Sequence, residues 1–285
     1  MRMKKAPSVV STFAGCGGSS LGYRRAGYRE LLAVEWDENA CDTFAANFRG
    51  VRLHRGDIAK LSGRRALELA GVRRGALDVL DGSPPCQGFS TVGLRRLDDP
   101  RNQLFREYVR LLDAFRPKAL PQSRARVIVI GARQDLGIEP SHPVPASRPT
   151  TLRQAIGDLA SPGEFARPEG ETAEIAAVTL PGEDGRDIRV LRGQKDRDFS
   201  LKRLQWNRPC ATVPKTVRPK HFSGLLHPDE DRFLGVEELK RVCGFPATFE
   251  LVGSYEEQWA RLGNSVPPPL MEAIARHVRR EILRR

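Results

Sequence analysis

Short apolar runs alternate with amphipathic stretches along the first third of this 285-residue chain. The apolar runs have the length of buried strands, and the stretches between them repeat apolar residues at helical spacing. Asp37 is predicted to cap one helix, and Ser19 or Ser20 an earlier one. We predict strands at 8–13, 31–34, about 51–54, 77–80 and 127–130, and helices at 21–26, 37–48 and 102–115. The alternation predicts an α/β fold with a doubly wound, mostly parallel sheet.

The composition changes after about residue 137. Proline, glycine and charged residues dominate as far as 205, where only 151–156 has helical periodicity. Regular structure returns later, with helices predicted at 235–243 and 268–282. We divide the chain into a main domain at 1–136, a small irregular region at 137–205 and a segment at 206–262. This segment contains the rest of the small region and leads the chain back to the main domain, which a carboxy-terminal helix at 263–285 completes.

Charge changes the picture of what the chain binds. Lys and Arg number 47 against 35 Asp and Glu, for a formal net charge of +12. This balance favours a polyanionic partner such as nucleic acid, although a basic surface facing solvent gives the same count. No apolar run is long enough to span a membrane. The amino terminus faintly resembles an export signal but is interrupted by Pro7, so we expect a cytoplasmic protein.

The five cysteines lie at positions 16, 41, 86, 210 and 243. None forms a Cys-x-x-Cys pair, and their odd number argues against a disulfide framework and against a zinc site. We therefore expect no bound metal, and individual thiols that are free for chemistry.

A glycine turn between the first strand and the first helix predicts a ligand site. Gly15-x-Gly17-Gly18 lets a ligand approach the backbone at a helix N-terminus. Glu35 follows the second strand twenty residues later, where its carboxylate can accept from both hydroxyls of a ribose, and Trp36 offers a flat face for adenine. A dinucleotide site would require glycine where Ser20 stands. The turn therefore suits S-adenosylmethionine better than NAD, with a purely structural turn as the alternative.

Cys86 follows Pro84-Pro85 in a polar turn at the carboxyl end of a predicted parallel strand. Ligand sites collect at such strand ends, and the prolines stiffen the approach to the thiol. A single cysteine is more often a small buried core residue than a catalytic one. Cys86 lies in a polar turn, however, and such a turn does not favour a core position. Cys86 is the candidate nucleophile.

Pro84-Pro-Cys-Gln-Gly-Phe-Ser90 resembles the active-site motif of the DNA (cytosine-5-)-methyltransferases. Five further segments resemble other motifs of that family in the same order: Phe13-Ala-Gly-Cys-Gly-Gly18, Pro100-Arg-Asn-Gln-Leu-Phe105, Pro121-Gln-Ser-Arg-Ala-Arg126, Arg208-Pro-Cys-Ala-Thr-Val213 and Gly263-Asn-Ser-Val-Pro267. On these six motifs the chain is identified as a member of the family. The resemblance implies a Rossmann-like fold dependent on S-adenosylmethionine, with a target-recognition segment in the irregular region.

The resemblance also implies a reaction and a set of site residues. The Cys86 thiolate adds to carbon 6 of a cytosine flipped out of double-stranded DNA, carbon 5 then takes the methyl group, and no metal takes part. Arg126 is implied as a second catalytic residue, at the cytosine carbonyl oxygen. Implied cofactor contacts are Phe13, Gly15, Gly17, Glu35, Trp36, Asp57, Ile58, Pro84, Asn264, Ser265 and Val266. Implied DNA contacts are Gln87, Ser90, Gln122, Arg124 and Thr212. A monomer in a restriction-modification system is expected.

The sequence departs from the family pattern in one place. Residues 116–120 run directly into Pro121, where the family has a strand ending in Glu-Asn-Val, a helix and a further strand. The carboxylate that meets the cytosine ring nitrogen is therefore missing, and Glu107 on a predicted helix is not a replacement. We expect strongly reduced turnover, and we expect the strand at 127–130 to move inward and pair with the strand at 77–80.

The sequence leaves three alternatives. The first is a catalytically impaired homologue that keeps cofactor or DNA binding. An RNA-directed member of the family is disfavoured by the pattern Gln87-Gly-Phe-Ser90, and an NAD-dependent dehydrogenase is disfavoured by Ser20.

Overall fold

A computed structural model describes residues 5–84, 103–124, 127–144, 149–193 and 200–284, and for 120–124 and 127 it describes the backbone. The chain divides into two compact units. The first comprises Met1–Pro145 and Ser265–Arg285, and the second comprises Ala146–Asn264. The functional roles that the sequence assigns to its four segments stay predictions.

The first unit contains a six-stranded sheet in the order β3-β2-β1-β4-β5-β6. Its strands are β1 (Ser8–Thr12), β2 (Arg29–Glu35), β3 (Arg52–Arg55), β4 (Val79–Gly82), β5 (Ala119–Arg124) and β6 (Val127–Ala132). All neighbouring strands pair in parallel except β6, which is antiparallel to β5. The α-helices described before residue 116 are α1 (Gly18–Arg25), α2 (Glu38–Asn47), α3 (Gly63–Ala70) and α4 (Gln103–Phe115).

Helices cover both faces of this sheet, which confirms the doubly wound α/β prediction. Adjacent residues of β1 point to opposite sides because side chains alternate along a strand. Val9 lies in a buried cluster with Tyr23 of α1 and with residues of the carboxy-terminal helix. Val10 lies in a second cluster with residues of α3 and α4, among them Leu111.

The expectation that residues 127–130 pair with the strand at 77–80 was wrong. Residues of β5 take that place, with Ala119 opposite Val79, and β6 pairs with β5 from Ala119↔Ala132 to Arg124↔Val127. The strands β4 and β6 are therefore two sheet spacings apart. The physical reason is that the extended segment at 119–124 itself pairs with the backbone groups at the open edge of β4. The next strand, β6, then runs back along β5 as the second strand of a hairpin.

The prediction of Ser19 or Ser20 as the cap of α1 was also wrong. The helix begins at Gly18 with Gly17 as its N-cap in a left-handed conformation, and both serines lie inside it, buried. Asp37 is confirmed as the cap of α2, where its side chain accepts from the backbone N–H of Ala40.

The second unit is more regular than its sequence suggests. Its elements are α5 (Leu152–Ile156), α6 (Glu171–Val178), α7 (Gly185–Leu191), β7 (Leu201–Arg203), β8 (Gly224–Leu226), α8 (Val236–Val242) and α9 (Tyr255–Asn264). Thr151 caps the predicted helix α5 with a full capping box. The helices α6 and α7 were not predicted, because their apolar residues do not form a clear stripe at helical spacing. After this unit the chain returns to the first with α10 (Pro268–His277), which continues as a π-helical turn at Val278–Ile282.

A buried arginine organises the second unit. Arg203 is 5% exposed and donates to the backbone carbonyls of Thr179, Ala176, His227 and Glu230 and to the carboxylate of Asp231. A guanidinium has five N–H donors and no acceptor, so this arrangement satisfies it with carbonyl oxygens from two separate segments. The side chain therefore holds α6 and the 227–231 loop onto β7.

Candidate active site

The carboxyl ends of β1, β2, β3 and β4 meet along one edge of the sheet, because these four strands are parallel. We call this line the carboxyl edge, and it is marked by Thr12, Glu35, Arg55 and Gly82. Loops at such an edge carry the ligand sites of doubly wound folds. Most of the residues that the sequence nominates for the cofactor lie along it.

The glycine turn leaves β1 with an unusual backbone. Phe13, Gly15 and Gly17 all have positive φ angles, of 53°, 56° and 97°. A Cβ on Gly17 would overlap the Phe48 ring, and one on Gly18 would overlap the backbone carbonyl of Val266. Gly17 therefore needs glycine for conformation and for packing, Gly15 for conformation and Gly18 for packing. Together they form a tight turn at the start of α1, in which Phe13 and Gly15 are half-buried.

Glu35 holds this turn against the end of β2. Its carboxyl Oε2 accepts from the backbone N–H of Gly15 at 2.8 Å, and Oε1 accepts from the N–H groups of Trp36 at 2.9 Å and Asp37 at 3.0 Å. The side chain is 9% exposed. A carboxylate offers about four lone-pair sites, so three N–H donors leave acceptor capacity for a ligand hydroxyl. The predicted cofactor acid is thus also a structural part of the turn.

Trp36 and Asp57 flank that carboxylate. The Trp36 side chain is 74% exposed, which is unusual for the largest apolar side chain and provides an open aromatic face. The N–H of Gly56 donates to the carbonyl of Glu35 at 2.8 Å and so brings the loop after β3 to the same place. Asp57 caps a short 3₁₀ turn through the N–H of Ala59, and Ile58 is buried beneath it.

The return segment reaches the glycine turn from the other end of the sequence. Ser265 and Val266 belong to the first unit, and both lie against Gly18. Asn264, the third predicted residue of this motif, ends α9 in the second unit. The structure therefore brings two of the three to the predicted cofactor turn.

The strand that leads to the predicted nucleophile ends beside the same turn. Thr12 Oγ1 donates to the carbonyl of Asp81 at 3.1 Å, and Tyr108 donates to the carbonyl of Leu80 at 3.2 Å, so two side chains anchor the backbone of β4. Pro84 is buried. Cys86 follows Gly82 by four residues, and a chain of that length spans at most about 14 Å.

Several predicted catalytic and DNA contacts cannot be placed. Cys86, Gln87, Ser90 and Arg126 lie outside the described residues. The backbone of Gln122 and Arg124 lies on β5, while their side chains lie outside the described part of the chain. Thr212 is exposed in the second unit.

The sequence reasoning missed a group of buried polar residues next to the carboxyl edge. The group includes Asp81 on β4 and Glu30 on β2, whose carboxyl groups lie between the sheet and α1. The available signal was the charge of Asp81 at the end of the apolar run Leu77-Asp-Val-Leu80, because a strand buried on both faces is normally apolar throughout.

Comparison with known proteins decides the family. A family model for C-5 cytosine-specific DNA methylases matches residues 8–120 and 119–280. This chain belongs to that family. Its members are DNA methyltransferases, so the prediction from the six motifs is confirmed, and the dehydrogenase alternative is not supported.

Curated relatives of this DNA methylase cover nearly all of it. The Type II methyltransferase M1.HphI of Haemophilus parahaemolyticus is 30% identical over 331 residues, which span 95% of this chain and 86% of the relative. The Type II methyltransferase M.XorII of Xanthomonas oryzae pv. oryzae is 27% identical and spans 94% and 83%. A crystal structure of a putative DNA modification methyltransferase from an E. coli prophage has a TM-score of 0.75 at 21% identity, over 98% and 100% of the two chains, and supports the fold.

The same comparisons bear on the missing segment. The family model matches in two pieces that meet at residues 119–120, which is where the sequence departs from the family pattern. The alignment with M1.HphI is longer than this chain, so the relative contains residues that this methylase lacks. The comparisons nevertheless favour the enzyme over the impaired homologue.

The described residues contain no cluster of three His, Cys, Asp or Glu side chains suited to a metal ion. None of their helices has the length and apolar character needed to cross a membrane.

Proposed function

We propose that this methylase transfers a methyl group from S-adenosylmethionine to carbon 5 of cytosine in double-stranded DNA, with Cys86 as the nucleophile. One observation carries the proposal. The glycine turn, the Glu35 carboxylate and the open face of Trp36 meet at the carboxyl edge, beside the strand that reaches Cys86 four residues later. The described part of β4 therefore leads from the proposed cofactor site toward the proposed nucleophile.

The residues at this edge fit a nucleoside cofactor. Glu35 keeps acceptor capacity for ribose hydroxyls, Trp36 offers a stacking face for adenine, and Asp57 and Ile58 directly follow Gly56, whose N–H donates to the Glu35 carbonyl. The methionine part would lie along the backbone of the glycine turn, at Phe13, Gly15 and Gly17, with Pro84, Asn264, Ser265 and Val266 as the remaining proposed contacts. When bound, S-adenosylmethionine supplies an electrophilic methyl group.

The chemistry of the chain then concerns the base. Carbon 5 of cytosine is a poor nucleophile, so the Cys86 thiolate first forms a bond to carbon 6 and shifts electron density to carbon 5. After methyl transfer, carbon 5 loses its proton and the carbon–sulfur bond breaks, which restores the aromatic ring and the thiolate. Arg126 would stabilise charge at the cytosine carbonyl oxygen. Both faces of the ring must be reached, so the base has to leave the duplex.

We assign DNA recognition to the second unit together with Gln87, Ser90, Gln122, Arg124 and Thr212. The net charge of +12 supports a phosphate-rich partner. The named relatives are Type II methyltransferases, and we propose the same restriction-modification role here, carried out by a monomer in the cytoplasm.

Covalent trapping tests this proposal. DNA in which cytosine carries fluorine at carbon 5 cannot lose a proton there, so the adduct with the thiol persists after methyl transfer. The wild-type protein with S-adenosylmethionine should form a protein–DNA complex that resists denaturing electrophoresis. Cys86→Ala should form none, whereas Cys210→Ala, a change at a half-buried cysteine of the second unit, should form it normally. A wild-type protein that binds DNA and cofactor but never forms the adduct would rule out the mechanism.

A further inference from the structure

Polar side chains from three strands and one helix meet between the sheet and α1. They come from Ser11 on β1, Glu30 on β2, Asp81 on β4, and Ser19, Ser20 and Tyr23 on α1. Ser11 and Asp81 are register partners on adjacent strands, so their side chains lie side by side on one face of the sheet. The same face is otherwise apolar, with Val9 and Val79 beneath α1 and α10.

Several atoms in this polar cluster lack hydrogen-bond partners among the described residues. They are Asp81 Oδ1, Ser11 Oγ and the Tyr23 hydroxyl, and all three residues are at most 2% exposed. By contrast, the Asp81 carboxyl accepts from the Ser19 hydroxyl and from the N–H of Gly82, and Ser20 donates to Glu30 Oε1 at 2.8 Å. If the Asp81 carboxyl group is protonated, its O–H can donate a hydrogen bond to one of these unpaired oxygen atoms. If it is ionised, it places a second negative charge beside Glu30.

The electrostatics favour the protonated form. Burial and the nearby Glu30 carboxylate together raise the pKa of Asp81 to about 8, against the hydrogen bonds from Ser19 and Gly82. Burial also raises the pKa of Glu30 to about 7, against the hydrogen bond from Ser20 and the charge of Arg24.

The other elements around Asp81 bring no cation to it. Tyr23 of α1 lies within electrostatic range of Asp81 and Glu30, and Tyr108 of α4 lies within range of Asp81; burial raises the pKa of both phenols, so they stay neutral. The helix α10 contributes Met271 and Ile274, which carry no charge. Within the described residues, Arg24 is the cation that faces this cluster, and it faces Glu30.

We propose that Asp81, as the neutral acid, is a positioning residue that couples the cofactor turn to the strand carrying the nucleophile. Its carboxyl binds Ser19 in the first turn of α1 and the N–H of Gly82, which leads toward Cys86. Ionisation next to Glu30 would put two negative charges into an apolar face and push α1 away from β4. This inference rests on the proposed function, because it names a residue that sets the geometry of the same site.

The test compares S-adenosylmethionine affinity between pH 6.5 and 9.5 by calorimetry. Wild type should lose about tenfold in affinity per pH unit above 8, because the neutral fraction of Asp81 falls by that factor. Asp81→Asn, which cannot ionise, should lack this loss, and Asp81→Leu should bind weakly at every pH. Asp113→Asn, at a site where the side chain is 80% exposed, is the matched control and should follow wild type. The cofactor's own amino group titrates equally in all four proteins.

Two outcomes overturn the inference: an Asp81→Asn profile that superimposes on wild type, or Asp81→Leu binding as tightly as Asp81→Asn.

If wild type binds no S-adenosylmethionine at any pH, the proposed function fails, and urea unfolding still tests the role of Asp81. A buried acid with a raised pKa makes the folded state bind more protons than the unfolded one between about pH 4 and 8. The unfolding midpoint of wild type should therefore fall across that range and level off above 8, while Asp81→Asn falls less. Identical midpoint profiles would refute the proposal.

Discussion

The Glu35→Gln substitution isolates the dual role of the cofactor acid. In the wild type the two carboxyl oxygens serve different donors, with Gly15 on Oε2 and with Trp36 and Asp37 on Oε1. An amide has a single oxygen, so in either orientation its NH₂ group faces at least one backbone N–H. The orientation that keeps the two bonds to Trp36 and Asp37 loses only the one to Gly15, so we expect the glutamine to adopt it.

The magnitude follows from that geometry. A hydrogen bond to a charged group contributes about 1.5–3 kcal/mol, and each 1.4 kcal/mol is a factor of about ten in binding. Loss of the Gly15 bond should therefore weaken S-adenosylmethionine binding by roughly 10- to 150-fold, with any ribose contact adding to this. The chain should stay folded, since the affected bond anchors one turn and not the sheet.

Calorimetry of cofactor binding, with circular dichroism as a check of folding, measures the effect. Glu38→Gln is the matched control, because Glu38 is an exposed acid three residues away in the first turn of α2. It should bind within about twofold of wild type. Glu35→Gln binding S-adenosylmethionine as tightly as this control would refute the argument that the carboxylate holds the turn and the cofactor together.

Two further predictions concern packing and stability. Gly17→Ala adds a Cβ that overlaps the Phe48 ring at a φ of 97°, so it should lower the thermal stability and weaken cofactor binding; unchanged values of both would contradict this packing. Arg203→Ala leaves four carbonyls and one carboxylate without this donor, so the free energy of unfolding should fall by about 3–5 kcal/mol in urea titrations, and a loss below 1 kcal/mol would argue against its central role.

Local patterns carried much of the prediction. The cap at Asp37, the helix at 151–156 and the glycine turn after β1 depend on residues close together in sequence, and the structure has all three. The alternation of apolar runs with amphipathic stretches was enough for the doubly wound fold, because strand and helix periodicities differ. The family followed from six ordered motifs, each readable without coordinates, and the family model confirmed it.

Tertiary structure decided which distant segments meet. The place of β5 beside β4 depends on what satisfies an open strand edge, and residue patterns along 119–130 do not specify that partner. The meeting of Asp81 with Glu30, fifty-one residues apart, likewise depends on strand order and on the face each strand turns toward α1. By itself the sequence determined the fold class, the family and the nucleophile expected of it. Only the packed sheet decided that an acid four residues after Leu77 is buried beside the cofactor turn, because burial and register arise from contacts between segments remote in the chain.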